Sequence, residues 1–361
     1  GVIIGPEEIP YTGEVTIRPG YYYIKVDGPT NNIYSAYIAP DGVAPTNLGI
    51  GDSGYTSNPE QEVTIWAKTE DSLSGIDHVQ INAWTNGSWT NYCASKEAVY
   101  NAATGRYEAS FGLAEIPDTV SGATSNGEGT YSFDVYAYDK AGNRKILGSV
   151  TIYYDTTAPT STLITNSTIY TKTNNVTITV NATDELSGMN NVNFMIWSET
   201  LGKEESIYSK IITSDTDTYT LSLDLSEKFA GTTGKFYVVP YISDKALNTS
   251  WGTQTTIYYD TTAPTGSMSI EANYENDEHK YVNSNTITIS LTATDNISAT
   301  SDIKMAILNE EEFSSITLDS EIEWLNYTET VEVQSSEGDG LKKFYIVFKD
   351  KVGNQSLYFT N

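Results

Sequence analysis

The stretch Tyr153–Thr160 reads Tyr-Tyr-Asp-Thr-Thr-Ala-Pro-Thr, and it occurs again without change at Tyr258–Thr265. A shorter copy, Asp-Gly-Val-Ala-Pro-Thr, begins at Asp41. The two full copies lie 105 residues apart, counted from Asp155 to Asp260. That spacing is the length of one β-sandwich domain. The repeated stretch therefore marks the boundaries between domains, and it divides the chain into a short N-terminal segment and three repeats.

Four regions follow from this spacing. We predict a β-hairpin segment, or the end of a truncated domain, over residues 1–40, and three repeats over residues 41–155, 156–260 and 261–361. A lone hairpin is marginally stable in water, so we expect residues 1–40 to dock on the first repeat.

Each repeat opens with an alternating strand pattern. In the second repeat the apolar residues Val176, Ile178, Val180 and Ala182 alternate with polar ones, which is typical of a strand with one buried face. A second strand follows in each repeat, with the inward positions Val79, Ile81 and Ala83 in the first repeat and their counterparts in the others. The pattern predicts an all-β protein made of tandem immunoglobulin-like β-sandwiches, with a short N-terminal β-hairpin segment.

The chain is strongly acidic. It carries 47 Asp and Glu residues against 20 Lys and Arg residues, a formal net charge of −27 over 361 residues. Such a polyanion is repelled by nucleic acids and by anionic lipid headgroups, so we expect no nucleic-acid partner and no direct membrane insertion. Cations are favourable partners. The alternative is that the acidity only keeps an exposed protein soluble.

Two recurring motifs resemble those of a known class of repeats. The Asp-x-x-Ala-Pro junction is combined with the hairpin sequences Asp139-Lys-Ala-Gly-Asn143 and Asp350-Lys-Val-Gly-Asn354. Residues 41–361 thereby resemble the bacterial Ig-like repeats of secreted and cell-surface proteins of the adhesin type. The first repeat also resembles the Bsp-like repeats of Gram-positive surface proteins. The second repeat departs from the pattern with Leu247 in place of the glycine, so we expect its hairpin turn to differ.

The resemblance implies a location and a role. We expect an extracellular or bacterial cell-surface protein fragment, acting as an adhesin stalk or as a spacer that presents a binding function. The alternative is a carbohydrate-binding or accessory region of a larger secreted enzyme. The expected partners are host or extracellular proteins or glycans, and the chain is expected to be a monomer that requires no cofactor. The sequence predicts no catalytic site, because its two histidines lie in different repeats at non-equivalent positions.

Three groups of aspartates are candidate metal ligands. In an immunoglobulin-like topology the linker, the loop after the second strand and the last hairpin share one pole of the sandwich. This predicts three groups: Asp41 with Asp71 and Asp139, Asp155 with Asp184 and Asp244, and Asp260 with Asp295 and Asp350. Calcium takes six to eight oxygen ligands, so each group could hold Ca²⁺ at a junction between domains. The alternative is that each aspartate only forms a turn, by accepting hydrogen bonds from nearby backbone amides.

A glycan-binding surface is a second candidate. Trp84, Trp89 and Tyr92 surround an Asn-Gly turn in the first repeat. The indole of Trp84 is expected to point outward, since the inward set of its strand is Val79, Ile81 and Ala83. Because Trp197 takes the equivalent place in the second repeat, the alternative is that these aromatic residues cover the edge of the core.

Overall fold

The computed structural model describes residues 20–25, 33–38, 40–51, 53–58, 60–85, 94–116, 128–199, 208–229, 232–276, 278–315 and 322–359. The chain forms two compact units, Gly1–Thr156 and Thr157–Asn361, and each is described here by itself. Strands make up most of the described residues of both units, which confirms the all-β class.

The first unit contains a two-stranded hairpin and a sandwich. Its strands are β1 (Gly20–Lys25), β2 (Ile33–Ile38), β3 (Thr46–Ile50), β4 (Gly54–Thr56), β5 (Glu62–Glu70), β6 (Ile76–Thr85), β7 (Ala94–Asn101), β8 (Arg106–Gly112), β9 (Gly129–Asp139) and β10 (Arg144–Tyr154), with a 3-10 turn at Leu113–Glu115. β1 and β2 pair antiparallel.

In the sandwich of the first unit, β3, β5 and β8 form one layer, and β6, β9, β10 and β4 form the other. β7 pairs with both β8 and β6, so the hydrogen bonding runs continuously from one layer to the other. β4 runs parallel to β10, while the other pairs are antiparallel. This pairing of a short first-strand segment with the last strand is typical of immunoglobulin-like sandwiches.

The second unit contains two sandwiches. The strands of the second sandwich are β11 (Thr160–Leu163), β12 (Thr168–Thr171), β13 (Asn175–Thr183), β14 (Met189–Ser198), β15 (Tyr208–Ile212), β16 (Thr218–Asp224), β17 (Gly234–Asp244), β18 (Thr249–Trp251) and β19 (Thr255–Tyr259), with helix α1 (Leu225–Phe229). One layer is β11-β13-β16, and the other is β12-β19-β17-β14-β15, with β18 also paired to β17.

The third sandwich follows the same plan. Its elements are β20 (Thr265–Ile270), β21 (Tyr274–Glu275), β22 (Lys280–Tyr281), β23 (Thr286–Thr294), a 3-10 turn at Thr300–Asp302, β24 (Lys304–Asn309), α2 (Glu310–Ser315), β25 (Leu325–Asn326), β26 (Thr330–Gln334), β27 (Phe344–Lys349) and β28 (Gln355–Phe359). Its layers are β20-β23-β26 and β25-β24-β27-β28, with β21 and β22 as a separate hairpin.

Each sandwich has its own apolar core. The predicted inward residues are buried: Val79, Ile81 and Ala83 are fully inaccessible to water, and Val176, Ile178, Val180 and Ala182 are at most 5% exposed. The buried clusters extend over residues 65–154, 176–259 and 287–348. The domain boundaries predicted from the repeated stretch stay predictions.

Pro240 interrupts the pairing of the second sandwich. The last strand is split into β18 and β19, which pair with residues 241–243 and 234–238 of β17. At the break, the Gly252 amide donates to the Pro240 carbonyl at 2.8 Å. The ladder is therefore irregular beside the proline, as expected for a residue that cannot donate a backbone hydrogen bond. Within the described part of the chain, no helix is long and apolar enough to cross a membrane.

Candidate cation-binding junctions

The last hairpin of each sandwich is built around an aspartate. In the first sandwich, one oxygen of Asp139 accepts hydrogen bonds from the backbone amides of Ala141 and Asn143, at 2.9 and 2.8 Å. The other oxygen accepts from the Asn143 side-chain amide at 2.8 Å. Asp350 is held in the same way by Gly353 and Asn354. These carboxylates are buried and act as turn-formers.

The asparagine of this hairpin also holds the linker that enters the sandwich. The Asn143 side-chain amide donates to the Asp41 carbonyl at 3.0 Å. The Asn354 side-chain amide donates to the Asp260 carbonyl, also at 3.0 Å. We call this contact the linker latch. The sequence places this asparagine in a turn but does not predict its contact with the linker. The pattern that could have indicated the contact is the constant spacing between the hairpin aspartate and the asparagine.

The aspartate after the second strand forms a tight turn. One oxygen of Asp71 accepts from the amides of Leu73, Ser74 and Gly75 at 2.8–3.1 Å. Asp184 repeats this arrangement in the second sandwich. In the third sandwich, Asp295 accepts from Ile297 and Ser298 at 2.9 and 2.6 Å. The turn-forming interpretation is therefore right for one oxygen of each carboxylate.

The aspartates of the first group and those of the third group each lie within a single unit, and in both groups the carboxylates lie close together, as predicted. Carboxylate oxygens of Asp41, Asp71 and Asp139 lie within 4.8 Å of one another, and so do those of Asp260, Asp295 and Asp350. In the second sandwich, carboxylate oxygens of Asp184 and Asp244 approach within the same distance. Asp155, predicted to join them, belongs to the first unit; it is fully buried there, and its amide donates to the Thr56 carbonyl. Metal binding at all three groups stays a prediction.

The two complete groups differ in the linker aspartate. Asp260 is fully buried, and its Oδ2 has no hydrogen-bond partner among the residues that the structure describes; the same is true of the buried Oδ2 of Asp295. Asp41 is only half-buried, and its two oxygens accept from the amides of Val43 and Ser74 at 2.9 and 3.0 Å. The third junction therefore differs from the first in the hydrogen bonding of its linker aspartate.

The pKa values of the two linker aspartates shift in opposite directions. Burial away from water, together with the nearby carboxylates of Asp295 and Asp350, raises the pKa of Asp260 from its ordinary 3.8 to about 6. Hydrogen bonds from Ser74 and the Val43 amide hold the pKa of Asp41 below its ordinary value. Neutralisation of the third group is therefore favourable, either by a proton or by a cation.

The turn at Leu247 corrects one expectation. The hairpin of the second sandwich was expected to differ, yet Leu247 has a φ of 71°, close to the 89° of Gly142 and the 91° of Gly353. Its amide donates to the Asp244 carbonyl at 3.2 Å, as the two glycines do to Asp139 and Asp350. The hairpin contacts outweigh the cost of a left-handed conformation at a leucine.

The predicted glycan surface is described only in part. Trp84 is half-buried, and its indole nitrogen donates to the Asp134 carboxylate at 2.7 Å. Trp89 and Tyr92 lie outside the described residues. Trp197, the counterpart in the second sandwich, packs on Tyr237 with ring centroids 5.4 Å apart. Glycan binding at this turn stays a prediction.

Comparisons with known proteins yield distant structural likenesses. No family model matches the chain, and no curated protein matches it in sequence. Fibronectin(III)-like modules of Clostridium thermocellum CbhA are 14% identical over 60% of this chain and 93% of their own, with a TM-score of 0.31. A structure from a 1.5-MDa bacterial ice-binding adhesin is 17% identical over 84% of this chain and 90% of its own, with a TM-score of 0.31. The tetra-tandem repeat from the extending region of a large adhesion protein is 17% identical over 94% of this chain and 80% of its own, also at 0.31.

Proposed function

We propose that this chain is a non-catalytic spacer of the adhesin type, part of an extracellular or bacterial cell-surface protein, which presents a binding function carried elsewhere. The observation that carries the proposal is the linker latch, which recurs with the same donor, acceptor and 3.0 Å distance at Asp41 and Asp260. A latch of this kind fastens the incoming chain to the pole of the next sandwich, so that load passes through the folded domain.

Contacts inside the second unit support this role. The Lys172 ammonium donates to the Gly353 carbonyl at 3.0 Å, which ties the second sandwich to the last hairpin of the third. The Lys351 ammonium lies 4.0 Å from the centre of the Tyr170 ring. The Asp260 amide donates to the Thr171 carbonyl at 2.9 Å. The linker between these two sandwiches is thus hydrogen-bonded both to the sandwich before it and to the sandwich after it, as expected of a joint that transmits force.

We further propose that the third junction binds Ca²⁺. Asp260 Oδ2 and Asp295 Oδ2 would be ligands, with Asp350 beside them and backbone carbonyls or water completing the shell. The support is the pair of buried oxygens without partners. Three carboxylates within 4.8 Å of one another repel, and a divalent cation converts that repulsion into attraction. The cation would stiffen the joint by holding linker, loop and hairpin together.

The spacer role is tested by pulling the full chain from its two ends in a force spectrometer. We expect a separate unfolding event for each sandwich, each releasing about 100 residues, or roughly 340 Å of extended chain. Added Ca²⁺ should raise the force of one of these events. A chain that extends without discrete force peaks would contradict a load-bearing spacer. Antibody labelling of intact producing cells tests the proposed location, and labelling only after lysis would contradict it.

A further inference from the structure

The second sandwich has a groove where its last strand is split. In the first sandwich the corresponding strand, β10, runs without a break from Arg144 to Tyr154 apart from one bulge. In the second sandwich the break between β18 and β19 faces Pro240 and leaves Gly252, Thr253 and Gln254 outside the two strands. The groove therefore follows from a local feature of this repeat, and its lining includes Pro159 and Thr160 at the end of the repeated stretch.

Two short segments form the walls of this groove. It is a shallow groove, largely open to solvent, with a volume of about 430 Å³, and the residues that line it are Pro159, Thr160, Ser161, Ser250, Trp251, Gly252 and Thr253. The hydroxyl of Ser250 donates to the Pro159 carbonyl, which joins the two walls. All seven lining residues are uncharged, in a chain whose net charge is −27.

Trp251 forms an open aromatic platform at the groove. Its side chain is 61% exposed, which is unusual for the largest apolar residue. The indole rests on Tyr241, with ring centroids 4.6 Å apart and the planes tilted by 48°. The indole contacts Tyr241 on one side, while most of it stays accessible. An exposed aromatic face of this kind is suited to a ligand that has an apolar face of its own.

Gly252 keeps the floor of the groove free. A Cβ at this position would lie 2.9 Å from the Ser161 hydroxyl and 3.0 Å from the Pro240 ring. Since real Cβ atoms rarely come so close to their neighbours, a side chain here would displace the wall. The hydroxyl groups of Ser161 and Thr253 remain as hydrogen-bonding groups around the platform, while that of Thr160 lies 3.5 Å from the Thr183 hydroxyl.

We propose that this groove binds a neutral saccharide, with one sugar ring lying on the indole of Trp251. The C–H face of a pyranose packs on an aromatic ring, and its hydroxyls match the serine and threonine hydroxyls of the walls. The uncharged lining and the acidic chain disfavour anionic glycans. A second protein molecule is a poor occupant, because seven lining residues are far fewer than the roughly 20–30 residues per partner of a stable interface. This proposal goes beyond the spacer role and does not depend on it.

The test is a screen of the full chain on an array of neutral and anionic oligosaccharides, followed by titration with the N-acetylglucosamine trimer, cellotriose and maltotriose. We expect binding to at least one neutral saccharide, and a loss of at least tenfold in affinity for Trp251→Ala. Trp251→Phe should retain part of the affinity, because it keeps an aromatic face. Leu247→Ala is the matched control: Leu247 is an apolar residue of the same sandwich, 71% exposed and outside the groove lining.

Three results would overturn the proposal. They are the absence of neutral saccharide binding at millimolar concentration, an affinity that Trp251→Ala leaves unchanged, and a preference for anionic glycans. Loss of binding in Trp84→Ala with full retention in Trp251→Ala would place the sugar at the Asn-Gly turn of the first sandwich instead. The circular dichroism spectrum and melting temperature of each variant separate lost binding from lost folding.

Discussion

The first and third junctions carry three aspartates in the same places, and they differ in how the linker aspartate is surrounded. At the first junction, Asp41 is half-buried, and backbone amides satisfy its oxygens. At the third, Asp260 directly follows β19, is fully buried, and has one oxygen that accepts no hydrogen bond from the part of the chain that the structure describes. One sequence motif thus forms either a half-buried turn with a hydrogen-bonded carboxylate or a fully buried anionic cluster, depending on what packs around it.

The largest difference between the two junctions is expected from a matched pair of variants, Asp295→Asn and Asp71→Asn. Asparagine keeps the oxygen that forms the turn and removes the charge. We expect wild-type protein to gain about 2.7 kcal/mol when Ca²⁺ is present at 100 times its dissociation constant. Asp295→Asn should lose this gain, whereas Asp71→Asn should keep it. Calorimetric unfolding in Ca²⁺ and in chelator measures both.

A wild-type protein whose unfolding is unaffected by millimolar Ca²⁺ would contradict the cation site at the third junction. Equal loss of the calcium effect in both variants would show instead that the two junctions are equivalent.

Removal of the linker latch is expected to have the second-largest effect on stability. Asn354→Ala removes the donor to the Asp260 carbonyl and to the Asp350 carboxylate, and leaves buried acceptors unsatisfied. We expect a loss of about 2 kcal/mol in the free energy of unfolding. Asn143→Ala should cost less, because Asp41 is nearer to water. Chemical denaturation of the two variants compares them, and equal costs would mean that burial of the linker does not matter.

The pH dependence of stability should differ in sign between the junctions. Because folding raises the pKa of Asp260, this group binds more protons in the folded state than in the unfolded state. Its contribution to the free energy of unfolding is fully present below about pH 4 and is lost as pH rises through 6. The lowered pKa of Asp41 acts in the other direction, since its contribution is lost as pH falls below the ordinary value of 3.8.

Metal-free melting curves between pH 3 and 7 measure this, with Asp260→Asn and Asp41→Asn as the two comparisons. Asp260→Asn should reduce the fall in melting temperature above pH 4. An unchanged profile in that variant would contradict the raised pKa.

The smallest effect concerns the hairpin of the second sandwich. Leu247 has a left-handed conformation that glycine adopts in the two other hairpins. Leu247→Gly should therefore stabilise the protein by about 0.5 kcal/mol, since relief of the strain exceeds the greater chain entropy of glycine. The converse change, Gly142→Leu, should cost about 1 kcal/mol. Urea denaturation distinguishes the signs, and destabilisation by Leu247→Gly would show that the leucine side chain contributes packing.

Alternation along the strands predicted the buried faces well. Val79, Ile81 and Ala83 read as inward-facing from the sequence, and they are fully buried. A period of two residues is a local property of a strand, so sequence alone can assign its faces. The sequence also predicted that the aspartates of each junction lie close together, because the linker, the loop and the hairpin meet at one pole of the sandwich.

Other features depended on contacts between distant residues. The latch from Asn354 to the Asp260 carbonyl spans 94 residues, and no local pattern marks its acceptor. The groove beside Trp251 arises where Pro240 faces a broken strand. A proline in a strand indicates only that one ladder donor is missing, and it does not specify what lines the gap.

The all-β class, the faces of the inner strands and the recurrence of three aspartates in each repeat follow from the amino-acid sequence. The different burial of Asp260, which is inaccessible to water, and of Asp41, which is half-buried, follows from the packing of distant residues around them. The physical reason is that hydrogen-bonding capacity belongs to the residue, whereas desolvation belongs to everything that surrounds it.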